Sequence, residues 1–244
     1  MEEKQNGIVL SSINFSENDK LLNIFTLNKG VVCAKIKGVK KAGAKLKFAA
    51  EPFCFAEFIF SKTGEKRMVI GASLIDSFYP VRENIYKYFC AGTVVEFIKR
   101  FYQEEIVDEV EFMLAVSTLK EIAYTENYLS ALVKFLILAL ENYGFGLKLD
   151  GCFYCDSEIK ERTFFDYRNG AFICEKCFDN VGREINGITL SALIKAKNNG
   201  LTDEHQGTKK ALRLLEYYIK NRTEEEIKSL KELIDILNSS KKTI

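Results

Sequence analysis

The sequence predicts an α+β protein in which a five-stranded amino-terminal barrel precedes a mainly α-helical domain with a zinc-ribbon-like insert. Three observations support this fold class. Apolar runs separated by turn residues fill residues 1–80, which is typical of short strands in a small barrel. The apolar period becomes helical after Pro80, and two Cys-x-x-Cys pairs interrupt the helical part. The predicted domains are therefore residues 1–80 and 81–244, with the insert at about 150–180.

Five strands are predicted in the amino-terminal domain. The alternation is clearest in the third strand, where Cys33, Lys35 and Lys37 share one face. A turn signal ending in Gly30 precedes this strand, and the polar stretch 38–47 that follows it is typical of a loop or a short helical turn. The predicted strands are residues 7–15, 21–27, 31–37, 53–60 and 68–78.

Apolar faces at helical spacing predict six helices after Pro80. Residues 128–143 are apolar nearly all round, which predicts the buried centre of a bundle. The last helix is predicted to begin at Thr223, because Thr223-Glu224-Glu225-Glu226 matches a capping box. The predicted helices are residues 85–101, 110–123, 128–143, 189–197, 207–220 and 223–237.

Composition excludes several classes of protein. The 244 residues are 47% hydrophobic and 28% charged, which is typical of a globular chain that needs no disulfide scaffold. A net charge of +1 excludes a uniformly basic protein. The first residues lack a signal-peptide pattern, and the longest apolar stretch, 128–140, is shorter than the roughly 20 residues that span a bilayer. We therefore expect a cytoplasmic protein with reduced thiols and no membrane partner.

Positive charge is concentrated near the amino terminus. Residues 1–50 carry nine Lys and four acids, and residues 20–50 contain eight Lys and no Asp or Glu. Such a stretch attracts a polyanion, although a solvated lysine-rich surface is the alternative. The candidate nucleic-acid-binding residues are Lys20, Lys35, Lys37, Lys40, Lys41, Lys45 and Lys47.

Four of the seven cysteines have the spacing of a metal site. Cys152 and Cys155 form one Cys-x-x-Cys pair, and Cys174 and Cys177 form the second, with eighteen residues between the pairs. Each pair presents two sulfurs to one tetrahedral ion, and Asn169-Gly170 predicts a hairpin turn that brings the pairs together. The prediction is a structural Zn²⁺. The alternatives are a redox Cys-x-x-Cys, an iron–sulfur cluster and a catalytic zinc. The other cysteines, Cys33, Cys54 and Cys90, are interpreted as core residues.

No catalytic motif stands out. The sequence has no nucleophile elbow, phosphate-binding loop or paired-carboxylate motif. It also lacks the His-x-Glu that precedes the cysteines in zinc deaminases. His205 is interpreted as a surface residue, and the acidic residues between Glu104 and Glu111 as a solvated face. We expect a protein that is not an enzyme. A hydrolytic or transfer enzyme whose site has no recognisable motif is an alternative.

Several short motifs follow one another along the whole chain. They are Gly7-Ile-Val-Leu10, Glu17-Asn-Asp-Lys20, Leu22-Asn-Ile-Phe25-Thr26, Gly30, Lys35-Ile-Lys37-Gly38-Val-Lys40-Lys41, Glu51-Pro52-Phe53, and Leu140-Glu141-Asn-Tyr-Gly144-Phe145-Gly-Leu147-Lys-Leu149 directly before Cys152. Their order and spacing resemble those of the bacterial recombination mediator family RecO.

The resemblance implies an OB-fold barrel, a helical domain and a zinc finger. It also implies DNA repair and recombination by the RecFOR pathway: binding of single- and double-stranded DNA, annealing of complementary strands, and loading of RecA with RecR. The DNA in that step is coated by single-strand-binding protein (SSB), whose carboxyl-terminal tail is an expected partner, and the expected location is the nucleoid. A zinc-containing adaptor in which DNA contact is secondary is the alternative.

Two departures from the family pattern bear on this expectation. Asn169-Gly170 stands where the family usually has Gly-Gly, and the basic loop has lysines where the family often has arginine. Lysine contacts phosphate as a point charge without a bidentate fork, so we expect binding to be strongly electrostatic.

Overall fold

The computed structural model describes residues 2–63, 66–104, 106–159, 162–180, 182–199 and 205–239. These residues form two compact units, Met1–Tyr124 and Thr125–Ile244. The strands are β1 (Glu2–Asn14), β2 (Lys20–Thr26), β3 (Gly30–Ile36), β4 (Phe55–Thr63), β5 (Lys66–Asp76), β6 (Thr163–Asp166), β7 (Ala171–Cys174) and β8 (Arg183–Ile185). The helices are α1 (Ile85–Phe101), α2 (Glu109–Tyr124), α3 (Tyr128–Asn142), α4 (Gly187–Lys197), α5 (His205–Thr223) and α6 (Lys228–Ser239).

The first unit contains a closed five-stranded barrel, which confirms the predicted fold class. Its strand order is β1-β2-β3-β5-β4, and β4 pairs with β1 to close it, as in an OB fold. A register shift between Val9 and Ser11 lets the long β1 pair with β4 in its first half and with β2 in its second. The predicted division at residue 80 falls between β5 and α1, whereas the compact unit extends through α2.

The segment after β3 closes one end of the barrel. Its residues 37–47 form turns, and a short 3₁₀ turn, Phe48–Ala50, follows. Val39 is buried in the barrel core, and Leu46 and Phe48 pack against that core. Because these apolar side chains are buried, the lysines between them are held at the surface.

Helices α1 and α2 cover one side of the barrel through aromatic contacts. The ring of Phe25 lies 5.5 Å from that of Phe112 on α2, and the ring of Phe53 lies 5.6 Å from that of Tyr88 on α1. Glu111 is fully buried in α2, so the interpretation of the 104–111 acids as a solvated face is wrong for this residue.

The residue that begins β3, directly after the β2–β3 turn, must be glycine. Gly30 has a φ of 61°, and a Cβ placed there would lie 2.0 Å from the carbonyl oxygen of Ile106. We expect Gly30→Ala to lower the free energy of unfolding by about 2 kcal/mol or more, because it combines left-handed strain with a backbone clash. Urea denaturation measures the loss.

Gly43→Ala is the matched control for this substitution. Nothing lies within 4 Å of a Cβ at Gly43, so its unfolding free energy should change by only about 0.5 kcal/mol. Equal effects of the two substitutions would contradict the close approach of Gly30 to Ile106.

The second unit combines helices with a small sheet. Helix α3 is buried along most of its length, as the all-round apolar pattern predicted. The β6–β7 hairpin is joined by a third strand, β8, that the sequence analysis did not predict. Tyr218 on α5 is buried, with its ring 5.8 Å from that of Phe165 on β6, and donates a 3.2 Å hydrogen bond to the carbonyl oxygen of Phe145.

Two local features of this unit differ from the sequence pattern. The predicted hairpin at Asn169-Gly170 is present, but its connection has four residues, because Asp166 pairs with Ala171 and its carboxylate accepts hydrogen bonds from the Arg168 N–H and the Asn169 side chain. The final helix begins at Lys228, since Thr223 ends α5 and donates its hydroxyl to the carbonyl oxygen of Ile219. In both places a short polar side chain bonds to a partner that the pattern did not indicate.

Candidate nucleic-acid interface and metal centre

A groove of about 670 Å³ runs across the outer face of the barrel. The turn after β1 contributes Phe15, β3 contributes Lys35 and Lys37, and the start of β5 contributes Arg67 and Met68. The alternation along β3 directs Ala34 and Ile36 into the core and the two lysines to this face. The turn between β1 and β2, the faces of β2 and β3, and the β4–β5 end are where OB folds bind oligonucleotides.

One lysine of this groove, Lys35, forms an ion pair with a carboxylate. The Lys35 Nζ lies 2.7 Å from a carboxylate oxygen of Asp19 and 4.6 Å from the ring centroid of Phe15. The hydrogen bonds from Lys35 and from the Gly38 N–H lower the pKa of Asp19 to about 2. Asp19 is therefore ionised at neutral pH and competes with any phosphate for Lys35.

Phe15 is the exposed aromatic side chain of the groove. It is 59% exposed, although it lies beside the cation of Lys35. An exposed ring beside cationic side chains provides a face for stacking and a charge for phosphate in one place.

A neighbouring cleft of about 570 Å³ continues this surface. Lys37 and Lys41 line it together with the turn residues Asn18 and Asp19. Both lysines are exposed, and no carboxylate pairs with either side chain among the residues that the structure describes. Lys37 lines both concavities, so the two form one continuous surface. It is cationic, because its four lysines and Arg67 outnumber the carboxylates of Glu17 and Asp19.

The four paired cysteines converge in the second unit. Their sulfurs all lie within 4.8 Å of one another, and the sulfurs of Cys155 and Cys174 are 3.8 Å apart. Four sulfurs at about 2.3 Å from a tetrahedral ion would be about 3.8 Å apart, so this arrangement fits a metal ion. The four side chains could hold such an ion.

Local structure holds both cysteine pairs in place. The Cys152 N–H donates to the carbonyl oxygen of Ser157, and the Asp156 N–H donates to that of Cys152, which makes the first turn. Cys174 ends β7 and Cys177 ends the 3₁₀ turn that follows, and the Cys174 N–H points at the sulfur of Cys152 at 3.4 Å. Behind them the rings of Phe164 and Phe178 stack with centroids 3.7 Å apart.

The shifted pKa values of the cysteines are also consistent with binding of a cation. Hydrogen bonds with Ser157 lower the pKa of Cys155 to about 6, whereas contact with Cys155 raises the pKa of Cys177 to about 12. Neighbouring sulfurs repel when both are thiolates, and a bound cation removes that repulsion.

Two models of known protein families match this chain. A family model described as "Recombination protein O N terminal" matches residues 1–78, and one described as "Recombination protein O C terminal" matches residues 82–231, which is more than half of the chain. The chain belongs to the RecO family. The resemblance noted in the sequence is thereby confirmed, and the family carries a role in DNA repair and recombination.

Curated RecO relatives cover most of the chain. A DNA repair protein RecO of Caldicellulosiruptor saccharolyticus is 29% identical over 182 residues, 75% of each chain. The protein of that name from Acetivibrio thermocellus is 25% identical over 178 residues, 72% of this chain and 71% of the relative. The one from Bacillus subtilis is 26% identical over 182 residues, 73% of this chain and 70% of the relative.

The predicted RecO lysines are only partly brought together. Lys35 and Lys37 line the groove, and Lys41 joins Lys37 in the neighbouring cleft. The others, Lys20, Lys40, Lys45 and Lys47, line neither concavity.

Phe15, Lys66 and Arg67 also line the groove, although no sequence pattern had marked them as candidate site residues. Phe15 lies in the turn between β1 and β2, and β2 pairs with β3. Lys66 and Arg67 begin β5, whose parallel pairing with β3 brings them next to Lys35. The β-turn pattern around Phe15 was a signal that could have suggested it.

Two other expectations have mixed outcomes. Cys54 and Cys90 are buried core residues, whereas Cys33 is half-buried and lines the groove. His205 begins α5, but its side chain lies outside the described part of the chain.

Within the described ranges, no helix is long and apolar enough to cross a membrane.

Proposed function

We propose that the protein is a recombination mediator that binds single- and double-stranded DNA on the barrel surface formed by the groove and the neighbouring cleft. The observation that carries the proposal is the groove itself, in which Phe15 lies among Lys35, Lys37 and Arg67. Phosphates contact the cations, and an unstacked base lies on the ring of Phe15. Because lysines supply most of the charge, binding depends on the backbone and is independent of sequence.

Annealing requires no bond-making group. A surface that neutralises two strands at once lowers the repulsion between their phosphates, which brings complementary bases together. The protein therefore acts as a mediator and not as an enzyme. With RecR it helps to load RecA onto single strands coated by SSB, whose carboxyl-terminal tail it contacts, and it works at the nucleoid in the cytoplasm.

The metal is a structural Zn²⁺ held by Cys152, Cys155, Cys174 and Cys177. All four ligand positions are sulfur, and Zn²⁺ in such a closed site supplies folding energy. Among the described residues, the core cluster around the cysteines contains three buried residues, Cys152, Phe164 and Ile173, and so small a core is typical of a ribbon that depends on its metal.

A salt titration of binding to a single-stranded oligonucleotide tests the DNA interface. If the four lysines and Arg67 of this surface contact phosphates, log K should fall against log salt with a slope of about −3.5. A slope near zero would contradict phosphate binding by this surface, and would favour the adaptor alternative. A strand-annealing assay under the same conditions should show a rate above that of the free strands.

Phe15→Leu distinguishes the contribution of the base from that of the phosphates. Stacking contributes about 1–3 kcal/mol per base, so the variant should bind single strands on the order of 10-fold more weakly. Affinity for duplex should change little, because duplex bases are already stacked. Equal losses on both substrates would contradict a stacking role for Phe15.

A further inference from the structure

A second groove, of about 500 Å³, lies in the second unit and shares no residue with the barrel surface. The small sheet contributes Tyr167 and Arg183, and α5 contributes Lys210, Arg213 and Tyr217. Side chains of both signs and two aromatic rings therefore meet at one concave surface.

Positive charge dominates this groove. Arg183 and Lys210 form no ion pair or hydrogen bond through their side chains among the residues that the structure describes. Arg213 donates a hydrogen bond to the side-chain oxygen of Asn238, which orients its guanidinium without neutralising it. Three cations are thus available to an anion.

The acids of the groove offset little of that charge. Glu184 is bound by Arg162 from outside the groove, with hydrogen bonds of 3.1 and 2.9 Å. Glu216 is the remaining carboxylate among the lining residues. The groove therefore keeps a net positive charge.

Two tyrosines form an aromatic wall. The ring of Tyr217 is 44% exposed and lies 4.6 Å from that of Tyr167, at an interplanar angle of 71°. Tyr167 is half-buried, and burial raises the pKa of its hydroxyl. The edge contact fixes the exposed ring of Tyr217, so its free surface is available for a planar group.

The sheet that carries the cysteines also positions one of the cations. Arg183 lies on β8 and is paired with Phe165 of β6, while β6 pairs with β7, which ends at Cys174. The position of Arg183 therefore depends on the folding of the sheet around the cysteine cluster.

We propose that this groove is a second phosphate-binding site, which takes a nucleotide of a single nucleic-acid strand. The phosphate lies among Arg183, Lys210 and Arg213, and the base lies against Tyr217. Guanidinium groups bind phosphate and carboxylate alike, but the exposed aromatic wall favours a ligand with a planar base. The choice of a nucleic acid as the ligand rests on the proposed function.

Photocrosslinking of the full-length protein tests the contact directly. A single-stranded oligonucleotide containing 5-iodouracil should crosslink to the peptide that contains Tyr217. In a binding titration at about 0.1 M salt, Arg183→Gln/Lys210→Gln should reduce affinity on the order of 10-fold and reduce the salt slope by about 1.4, because two phosphate contacts are lost. Lys99→Gln/Lys195→Gln removes the same charge from exposed positions outside the groove and should have little effect.

The outcomes separate this proposal from the barrel interface. If Tyr217 does not crosslink and the groove variant binds like its control, the second site is overturned. The proposed function still stands in that case, provided that Lys37→Gln/Lys41→Gln weakens binding in the same assay. If both variants bind like wild type, the barrel interface of the proposed function is contradicted as well, and if the wild-type protein does not bind DNA, the DNA function itself fails.

Competitors identify the source of the phosphate. Thymidine monophosphate that removes the Tyr217 crosslink, with oligonucleotide affinity unchanged in the groove variant, would support the phosphate site but assign it to a free nucleotide. A hexaglutamate peptide that competes as well as unlabelled oligonucleotide would overturn the proposal, because the groove would then bind acidic protein segments.

Discussion

Lys37→Glu/Lys40→Glu/Lys41→Glu is expected to weaken binding to single-stranded DNA on the order of 100-fold at about 0.1 M salt. Lys37 and Lys41 line the cationic surface, and Lys40 is exposed between them. Losing three phosphate contacts should also make the salt slope less steep by about 2. Fluorescence anisotropy across a salt series measures both quantities. These side chains are exposed, so thermal unfolding should change little.

Two comparisons make the lysine result specific. Lys99→Glu/Lys120→Glu/Lys195→Glu reverses the same charge at exposed positions elsewhere, and should leave most of the affinity. Asp19→Asn should act in the opposite direction, since it frees Lys35 and keeps an oxygen for the Gly38 N–H. One additional contact raises affinity on the order of 5-fold at about 0.1 M salt. Equal losses in both triple variants would argue for a diffuse charge effect without a defined surface.

Cys152→Ser is expected to abolish metal binding and to destabilise the second unit. Cys152 is fully buried, and its sulfur lies within the four-cysteine cluster. Losing a structural metal removes several kcal/mol of folding free energy, which corresponds to a decrease in Tm of about 10 °C or more. Elemental analysis should find about one zinc per wild-type chain and almost none in the variant.

Cys33→Ser is the control for metal loss, because Cys33 lies on the barrel groove and not in the cluster. It should retain the metal and the wild-type Tm of the second unit. An unchanged metal content in Cys152→Ser would contradict the four-sulfur site. Iron in place of zinc, with visible absorption, would support the iron–sulfur alternative.

In the lysine-rich segment, the sequence pattern predicted the directions of side chains but not their ion pairs. Alternation along β3 correctly directed Lys35 and Lys37 away from the core, because a period of two follows from strand geometry alone. The acid-free stretch began at Lys20, one residue after Asp19, which pairs with Lys35. The charge count therefore overstated the positive charge available on Lys35.

The groove could not be predicted from local patterns. Phe15 and Arg67 are distant in sequence. Arg67 lies beside Lys35 because β3 pairs in parallel with β5 over three residue pairs, and Phe15 lies in the turn before β2, which pairs with β3 on its other side. Such a pairing depends on how the barrel closes, which no short window of sequence encodes. The burial of Glu111 could not be predicted for the same reason.

By itself, the sequence determined the barrel strands, most of the helices, the four-cysteine site and the family. These features depend on periodicity, turn residues and fixed spacing, which are properties of neighbouring residues. Only the tertiary structure decided which lysines share a surface, which acid pairs with them, and where aromatic rings lie beside cations. Those relations join residues from different strands and helices, so they arise only when the chain has packed.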